Sequence, residues 1–439
     1  MDWSNFQSKK VALVGSGREN LAILPYLKKT GADITLHEWE QGHIPEDLDI
    51  KTRSGDEYLN DLGSYDILIR APGFPVKTVK EALKDKEGPI LTSTVDIFLG
   101  MTKSYTIGVT GTKGKGTTVT ILDSILRAAG KKTFVIGNIG EGVFSRFDDI
   151  DENSISLIEL SSFQLEDIKH SPHLAIILPI TPDHLKPLSS TSPNYHDTLE
   201  DYASAKSNIV KYQSGEDICV YDADNENSDK IGKSSLAKQI ALTLKDIPDG
   251  NFRDIDLKKN GFLSEYIWVD AGLAILAAIE LGIDKETIEK GLSSYKALPH
   301  RIEKFYDKNE IVCVDDSYAT TPESTMAAIE SFTNPIILIA GGSTKGVSFD
   351  ELAQKIAKSS VKSVILMGQE ADKISKALEG VDNLKIEKVQ SLQEAVNIAV
   401  DDAASGDVIM LSPACASTDM FKNAAERGDL FKKMIDEVL

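Results

Sequence analysis

The stretch that decides the fold is "TIGVTGTKGKGTTVT", Thr106 to Thr120. A β-branched run through Ile107, Val109 and Thr110 enters a loop carrying Gly111, Gly114, Lys115 and Gly116. "TTVTILDSILRAAG" follows with helical character. Strand, glycine loop with a lysine, helix: this order builds a phosphate cradle, because N–H groups of the loop and of the helix N-terminus point at an anion. Lys115 adds charge, and Thr117 or Thr118 offers a hydroxyl to Mg2+. The spacing departs from G-x-x-x-x-G-K-[ST], since the first glycine is displaced and Gly116 follows the lysine. The chemistry of the cradle survives that departure, and the stretch reads as a nucleotide site. A loop of this kind serves a GTPase switch, a kinase or a ligase equally well.

Residues downstream narrow the choice. "IELSSFQLE" puts Glu159 at the end of an apolar strand, where α/β sheets deliver ligands. A carboxylate on a buried strand needs a partner, and Mg2+ on a nucleotide supplies one. "ITPDHLKP" repeats the arrangement with Asp183 and His184. Loop, acid and histidine at three successive strand ends predict metal-assisted phosphate chemistry.

Working outward, the first hundred residues alternate strand and helix: "KVALVGSG", "LAILPYLKKTG", "ADITLHEW" ending at Glu38, and "YDILIRAPGFP". This is a βαβ pattern of the dinucleotide-binding kind, although the third glycine position of Gly15-x-Gly17 is Asn20. The pattern restarts near Met101 with the phosphate loop and the strands "KTFVIGN", "SISLIELSS" and "HLAIILPIT". It restarts again near Leu298 with "IVCVDDSYATTPES", "NPIILIAGG", "SVILMG" and "DVIMLSPA". The expectation is an α/β protein of three domains. They are a Rossmann-like domain over 1–101, a P-loop ATPase-type α/β domain over 102–297, and a Rossmann-like α/β domain over 298–439.

Bulk properties agree with that picture. A chain of 439 residues favours two or three cores over one. A formal net charge of −20 argues against nucleic-acid or anionic-membrane partners, which would repel it at long range. Apolar runs such as "LAIIL", Leu174–Leu178, are far too short to span a bilayer. Cys219, Cys313 and Cys415 are scattered and lack metal spacing, which fits a reducing cytosol. With no apolar segment before the first strand, the reading expects no secretory leader.

The segments "GVTGTKGKGTT", "IELSSFQLE", "ITPDHL", "YASAKSNI", "LPHRIE", "DDSYATTPEST", "AGGSTKG" and "LSPACASTDMFKNAAERGDLF" stand in an order and spacing that resemble the Mur ligases. The resemblance covers nearly the whole chain. It implies a cytoplasmic, monomeric, ATP- and Mg2+-dependent ligase of peptidoglycan synthesis, whose domains take a UDP-linked substrate, ATP and an amino acid in turn. The implied reaction adds D-glutamate to UDP-N-acetylmuramoyl-L-alanine, with no nucleic acid and no membrane insertion. Making an amide from a carboxylate in water is uphill, so the family first forms an acyl phosphate. Bringing two anions together calls for a metal and cationic side chains.

By the same resemblance, Gly111, Thr112, Lys113, Gly114, Lys115, Gly116 and Thr117 hold the ATP phosphates, with Arg301 on a phosphate and Asp316 on the ribose. Thr117, Glu159, His184 and Lys206 hold metal. Lys115, His184 and Lys206 are the implied catalytic set, Lys206 as a lysine carbamylated by CO2. Gly73, Gly137, Asn138, Ser161 and Gln164 would hold the UDP-substrate, and Thr320, Lys345 and Ser417 the incoming amino acid. A lysine there suits a side-chain carboxylate. Four differences stand out from the family pattern: Gly116 after the loop lysine, "YIWVD" (Tyr266–Asp270) for His-Asn-x-x-Asn, Tyr318 for a lysine, and an insertion near Pro187–Tyr195 beside Lys186. A folylpolyglutamate-type ligase and a non-catalytic nucleotide-binding relative are the competing readings.

Overall fold

The computed structural model describes residues 2–40, 44–45, 48–83, 88–185, 194–260, 262, 265–308, 310–344 and 346–439. Three sheets organise them. The first holds β1 (Lys10–Val14), β2 (Asp33–Glu38), β3 (Lys51–Ser54), β4 (Ile67–Arg70) and β5 (Ile90–Ser93). Its order is β3-β2-β1-β4-β5, every pair parallel. Continuous apolar runs such as Val11–Val14 and Ile67–Ile69 are buried, as a parallel sheet covered on both faces requires. Strand order reverses at β1, so the crevice between the carboxyl ends of β1 and β4 is the switch point where ligands bind in such sheets.

Two residues shape that crevice. Gly15 has φ +97°, and a Cβ there would lie 2.6 Å from the Phe74 ring, so only glycine fits. Asn20, at the expected third glycine, is fully buried, and its amide donates to the carbonyls of Val14, Gly15 and Ile69 at 3.2, 3.0 and 3.2 Å. The side chain fastens the turn to β1 and β4, which is why glycine is absent.

The central sheet holds β6 (Tyr105–Thr110), β7 (Lys132–Gly137), β8 (Ser154–Glu159), β9 (Leu174–Ile177), β10 (Ile218–Asp222) and β11 (Lys238–Leu242), in the order β11-β10-β9-β6-β8-β7. All its pairs are parallel. A small antiparallel hairpin, β12 (Asn251–Phe252) and β13 (Ile255–Asp256), follows. The last sheet holds β14 (Glu303–Lys308), β15 (Ile311–Asp315), β16 (Ile336–Gly341), β17 (Val361–Met367), β18 (Lys385–Lys388) and β19 (Val408–Leu411). Its order is β14-β15-β19-β16-β17-β18, with only β14–β15 antiparallel.

The chain forms two compact units: Met1–Asn260 with Ile267–Tyr295, and Gly261–Tyr266 with Lys296–Leu439. The first and central sheets share one unit and one hydrophobic core. Packing runs across residue 101, where Phe98 meets Phe144 and Phe147 edge-on at 6.1 and 5.9 Å between ring centres. Trp3 stacks on Tyr26 at 5.5 Å in the same cluster. Among the described residues, no helix is long and apolar enough to cross a membrane.

Candidate functional site

β8 and β9 are the two neighbours of β6, so the three strand ends that carry the loop, the acid and the histidine segment lie side by side. Val109 pairs with Glu159 across β6–β8, and Thr110 with Ile177 across β6–β9. The segment after β9 then runs along the loop. Leu178 N–H donates to Thr110 O and Thr112 N–H to Pro179 O, both at 2.9 Å. The Thr112 hydroxyl accepts from Thr181 N–H at 2.9 Å and donates to Thr181 O at 3.0 Å.

Gly114 caps the helix Lys115–Ala128 with φ +81°. A Cβ on it would fall 2.2 Å from Asp270 Oδ1. Asp270, in the helix Glu265–Glu280, is buried, and burial pushes its carboxyl up to about 8, with Lys115 pulling the other way. The residue that replaces the family's second asparagine therefore packs against the phosphate loop.

Two lysines converge on one carbonyl. Lys115 Nζ donates to Gly111 O at 3.0 Å and to Thr112 O at 2.9 Å. Lys206 Nζ reaches the same Gly111 O at 2.9 Å, lies 3.4 Å from Thr110 Oγ1 and sits 4.6 Å from the centre of the Tyr202 ring. Lys206 comes from the helix Leu199–Lys211, whose start is fixed by a Thr198–Asp201 capping box. It is 1% exposed, and burial first, then Lys115, hold its amine well below the usual lysine range.

His184 is half-exposed, with φ +54° and its N–H on Asp183 Oδ1 at 2.9 Å. Its ring meets Phe163 edge-on at 5.4 Å. Desolvation depresses its pKa; Asp183 opposes this, and Lys115, Lys206 and Lys113 add to it. Lys113 Nζ lies 3.9 Å from Asp183 Oδ2. Glu159 is buried and accepts from Asn138 Nδ2 at 2.7 Å. Thr117 sits on the first turn of the loop helix, half-buried.

This donor set fits Mg2+ in part. Magnesium is usually held by one or two carboxylates and substrate phosphates, and the Glu159 carboxylate and Thr117 hydroxyl match that need. A neutral His184 can ligate as well. Lys206 fits only after its cationic charge is removed, because an ammonium repels a metal. The tightest histidine–carboxylate cluster among the described residues lies elsewhere, at His300, Glu303 and Asp315. There Lys432 Nζ, 3.0 Å from Glu303 Oε2, already supplies the cation.

Of the residues expected to hold the UDP-substrate, Gly73 is exposed, and a Cβ on it would meet nothing within 4 Å, so the fold itself does not require glycine. Gly137 is required, with φ +102° and its virtual Cβ 2.5 Å from Glu159 O. The Gly137 and Asn138 N–H groups donate to Glu141 O and Glu159 O, at 2.9 and 3.0 Å. These two N–H groups are therefore already engaged within the protein, while the Asn138 side chain is exposed. Ser161 and Gln164 form a reciprocal capping box on the short helix Ser162–Leu165.

In the second unit, Thr320 and Ser417 lie on the loops after β15 and β19, which are adjacent strands. Lys345 lies outside the described residues, as do Lys186 and residues 187–193 of the insertion. Arg301 lies over the Tyr318 ring at 5.3 Å, so the tyrosine that replaces a lysine steadies the arginine. Asp316 accepts from Ile302 N–H at 3.1 Å and from Ser412 Oγ at 2.7 Å, and burial pushes its carboxyl up to about 7.

Sequence reasoning missed Arg70, Asp167, His196 and Arg427. His196 stacks on Phe163 at 4.9 Å and meets Ser162 Oγ at 2.9 Å. The available signal for Arg70 was an arginine closing an apolar strand in "DILIRAPG", a cation that burial obliges to find partners.

Comparison with known proteins followed the same lines. Residues 109–272 match the Mur ligase middle domain, and residues 300–415 the Mur ligase, glutamate ligase domain. The chain is 34% identical to the UDP-N-acetylmuramoylalanine–D-glutamate ligase of Acetivibrio thermocellus, covering 98% of this chain and 97% of that protein. It is 32% identical to the enzyme of the same name from Clostridium perfringens, at 98% and 97% coverage. Among solved structures, MurF ligase from Thermotoga maritima in complex with ADP aligns with a TM-score of 0.59 at 15% identity, covering 99% of this chain and 96% of that one, a likeness of fold. The chain belongs to the Mur ligase family.

Proposed function

We propose that this chain is an ATP-dependent ligase that adds D-glutamate to UDP-N-acetylmuramoyl-L-alanine in peptidoglycan synthesis. One observation supports it most: a glycine phosphate loop and a buried carboxylate occupy adjacent strand ends of one sheet, and two lysines converge on the loop carbonyl of Gly111. A protein that merely bound a nucleotide would have no use for Lys206, buried at such cost beside Lys115. The names of the full-length relatives support the choice of amino acid and acceptor.

Roles follow from chemistry. The loop 111–117 and Lys115 would take the ATP phosphates, with charge placed where it grows during phosphoryl transfer. Glu159, Thr117 and His184 would hold Mg2+, which when bound neutralises phosphate charge and polarises the transferred group. Lys206, an amine whose charged form burial disfavours, is suited to add CO2 and become a carbamate with two anionic oxygens. We assign the first sheet to the UDP-substrate, the central sheet to ATP and the last to the amino acid, with Arg301, Asp316, Thr320, Lys345 and Ser417 contributing from the last. The three buried cysteines, present as thiols, support work in a reducing cytoplasm.

The test is a panel. The chain is incubated with ATP, Mg2+ and UDP-N-acetylmuramoyl-L-alanine against D-glutamate, L-glutamate, L-alanine and diaminopimelate, and the products are weighed. One added D-glutamyl residue is expected. Preference for alanine would overturn the amino-acid assignment, and phosphate release with no ligated product would overturn the ligase.

A further inference from the structure

Arg70, the last residue of β4, is completely buried. Its Nε and Nη2 donate to the two carboxylate oxygens of Asp167, both at 2.8 Å. Nη2 also donates to Phe163 O at 2.7 Å. Nη1 donates to Phe74 O at 2.7 Å and Ala71 O at 3.3 Å. All five donors of the guanidinium are therefore engaged. The residues it joins belong to different sheets. Ala71 and Phe74 flank Gly73 in the loop at the switch point of the first sheet, whereas Phe163 and Asp167 follow Glu159 and Ser161 at the ligand end of the central sheet.

Neighbouring contacts tie the same two sheets. Asn194, beyond His184, donates to Pro72 O at 2.7 Å. At the other switch-point turn, Arg18 donates to Gly137 O and Gly140 O at 2.9 and 3.0 Å, and Glu19 accepts from Val143 N–H at 3.1 Å. Both switch-point loops of the first sheet, after β1 and after β4, are thus tied to loops at the ligand end of the central sheet.

We propose that Arg70 is a positioning residue for the carboxylate acceptor. It fixes the Gly73 loop against the Glu159–Ser161 segment, so that the acceptor's nucleotide end and its reacting carboxylate are held by one rigid half-site. The proposal rests on the ligase reading above. Its consequence is a split: Arg70 governs the acceptor's KM and leaves that of ATP alone, because the phosphate loop receives none of its hydrogen bonds. Lysine cannot replace it, since a single ammonium cannot reach a carboxylate and carbonyls on both sides in a fixed fork.

The test is steady-state kinetics with UDP-N-acetylmuramoyl-L-alanine and ATP varied in turn, on wild type and Arg70→Lys. The variant should raise the acceptor's KM about 10-fold or more, as a misplacement of the order of 1 Å would, and keep the KM of ATP within about twofold. Should Arg70→Lys fail to fold by circular dichroism, Asp167→Glu carries the test, since it displaces the guanidinium by one methylene and removes no charge. The same split is expected. Equal changes in both KM values, or none, would overturn the positioning role while wild type still turns over. A wild type that makes no product would overturn the ligase reading, and this proposal with it.

Discussion

Arg70 and Lys206 are both shut away from water in the same unit, and among the described residues only Arg70 has a carboxylate in direct contact, Asp183 and Glu159 acting on Lys206 from further off. Arg70 meets Asp167 bidentately and four backbone carbonyls besides, those of Ala71, Pro72, Phe74 and Phe163. Lys206 has one carbonyl, a distant hydroxyl and an aromatic face, with Lys115 on the same carbonyl. A paired buried ion is a fastening, and its removal exposes its partner. An unbalanced buried cation is a standing cost unless a bound anion or a chemical change removes the charge. The difference separates the region proposed to hold the acceptor from the region proposed to handle phosphate.

The contrast breaks most readily at Arg70. Arg70→Met should destabilise the chain by about 3–5 kcal/mol, because Asp167 is left buried and unpaired. Adding Asp167→Leu should recover most of that loss. Trp3, Trp39 and Trp268 all lie in the first unit, so the urea transition followed by tryptophan fluorescence reports on it alone. A single variant as stable as wild type would remove the fastening. Lys206→Met, by contrast, should leave the same midpoint unchanged or raised.

Lys206 should show its importance in turnover. Lys206→Ala is expected to lose about 3–4 kcal/mol of transition-state stabilisation, by analogy with removal of one preorganised donor. Added acetate should partly restore the rate by supplying the missing oxygens. Lys206→Arg should fail too, since arginine keeps its charge and forms no carbamate. Full activity in the arginine variant would show that no anion is needed at that position.

Arg427 sharpens the comparison from the second unit. It is as buried as Arg70, yet its partners are Ser317 Oγ and O and the carbonyls of Cys415 and Ala416, at 2.8 to 3.3 Å, none of them a carboxylate. Burial accordingly pulls its pKa down to about 10. It joins the loops that carry Thr320 and Ser417. Arg427→Met strands these acceptors without baring a carboxylate, so a loss nearer about 1–3 kcal/mol is expected. The loss should be seen in backbone circular dichroism more than in tryptophan fluorescence.

Asp270 tests the first unit through pH. Its folded pKa of about 8 lies above the ordinary 3.8, so the folded chain keeps a proton that the unfolded chain releases. Its contribution is complete below about pH 4 and is lost as pH rises through 8. Asp270→Asn should flatten that decline and raise stability at pH 8, by about 1.4 kcal/mol for each pH unit between the folded and unfolded titrations of the carboxyl. An unchanged pH profile of the thermal midpoint would show that Asp270 titrates normally.

How much of this was legible follows from distance along the chain. The loop and Glu159 could be read because each closes an apolar strand, and His184 because it stands in the segment after a third; parallel β6, β8 and β9 bring those ends together. Lys206 was found by its segment, but its burial was not visible in a helix that also carries Lys211. Arg70 and Arg427 act on carbonyls 93 and 110 residues away, and backbone acceptors have no side-chain signature. Ser161 and Gln164 read as substrate ligands, yet they also cap their own helix, a role that S-x-x-Q spacing announces. Asp270 stood in a segment noted only for its departure from the family's His-Asn-x-x-Asn pattern, and only the close approach of Gly114 sets it against the phosphate loop.

The central claim is that the acceptor's carboxylate is activated by phosphorylation at the loop around Lys115. It is tested most directly with UDP-N-acetylmuramoyl-L-alanine labelled with oxygen-18 in the alanyl carboxylate. The carboxylate oxygen attacks the γ-phosphorus of ATP and ADP leaves; the amine of glutamate then attacks the carbonyl carbon, and phosphate departs with that oxygen. The account predicts one labelled oxygen in each phosphate released, by mass spectrometry. Amide product accompanied by unlabelled phosphate would contradict it.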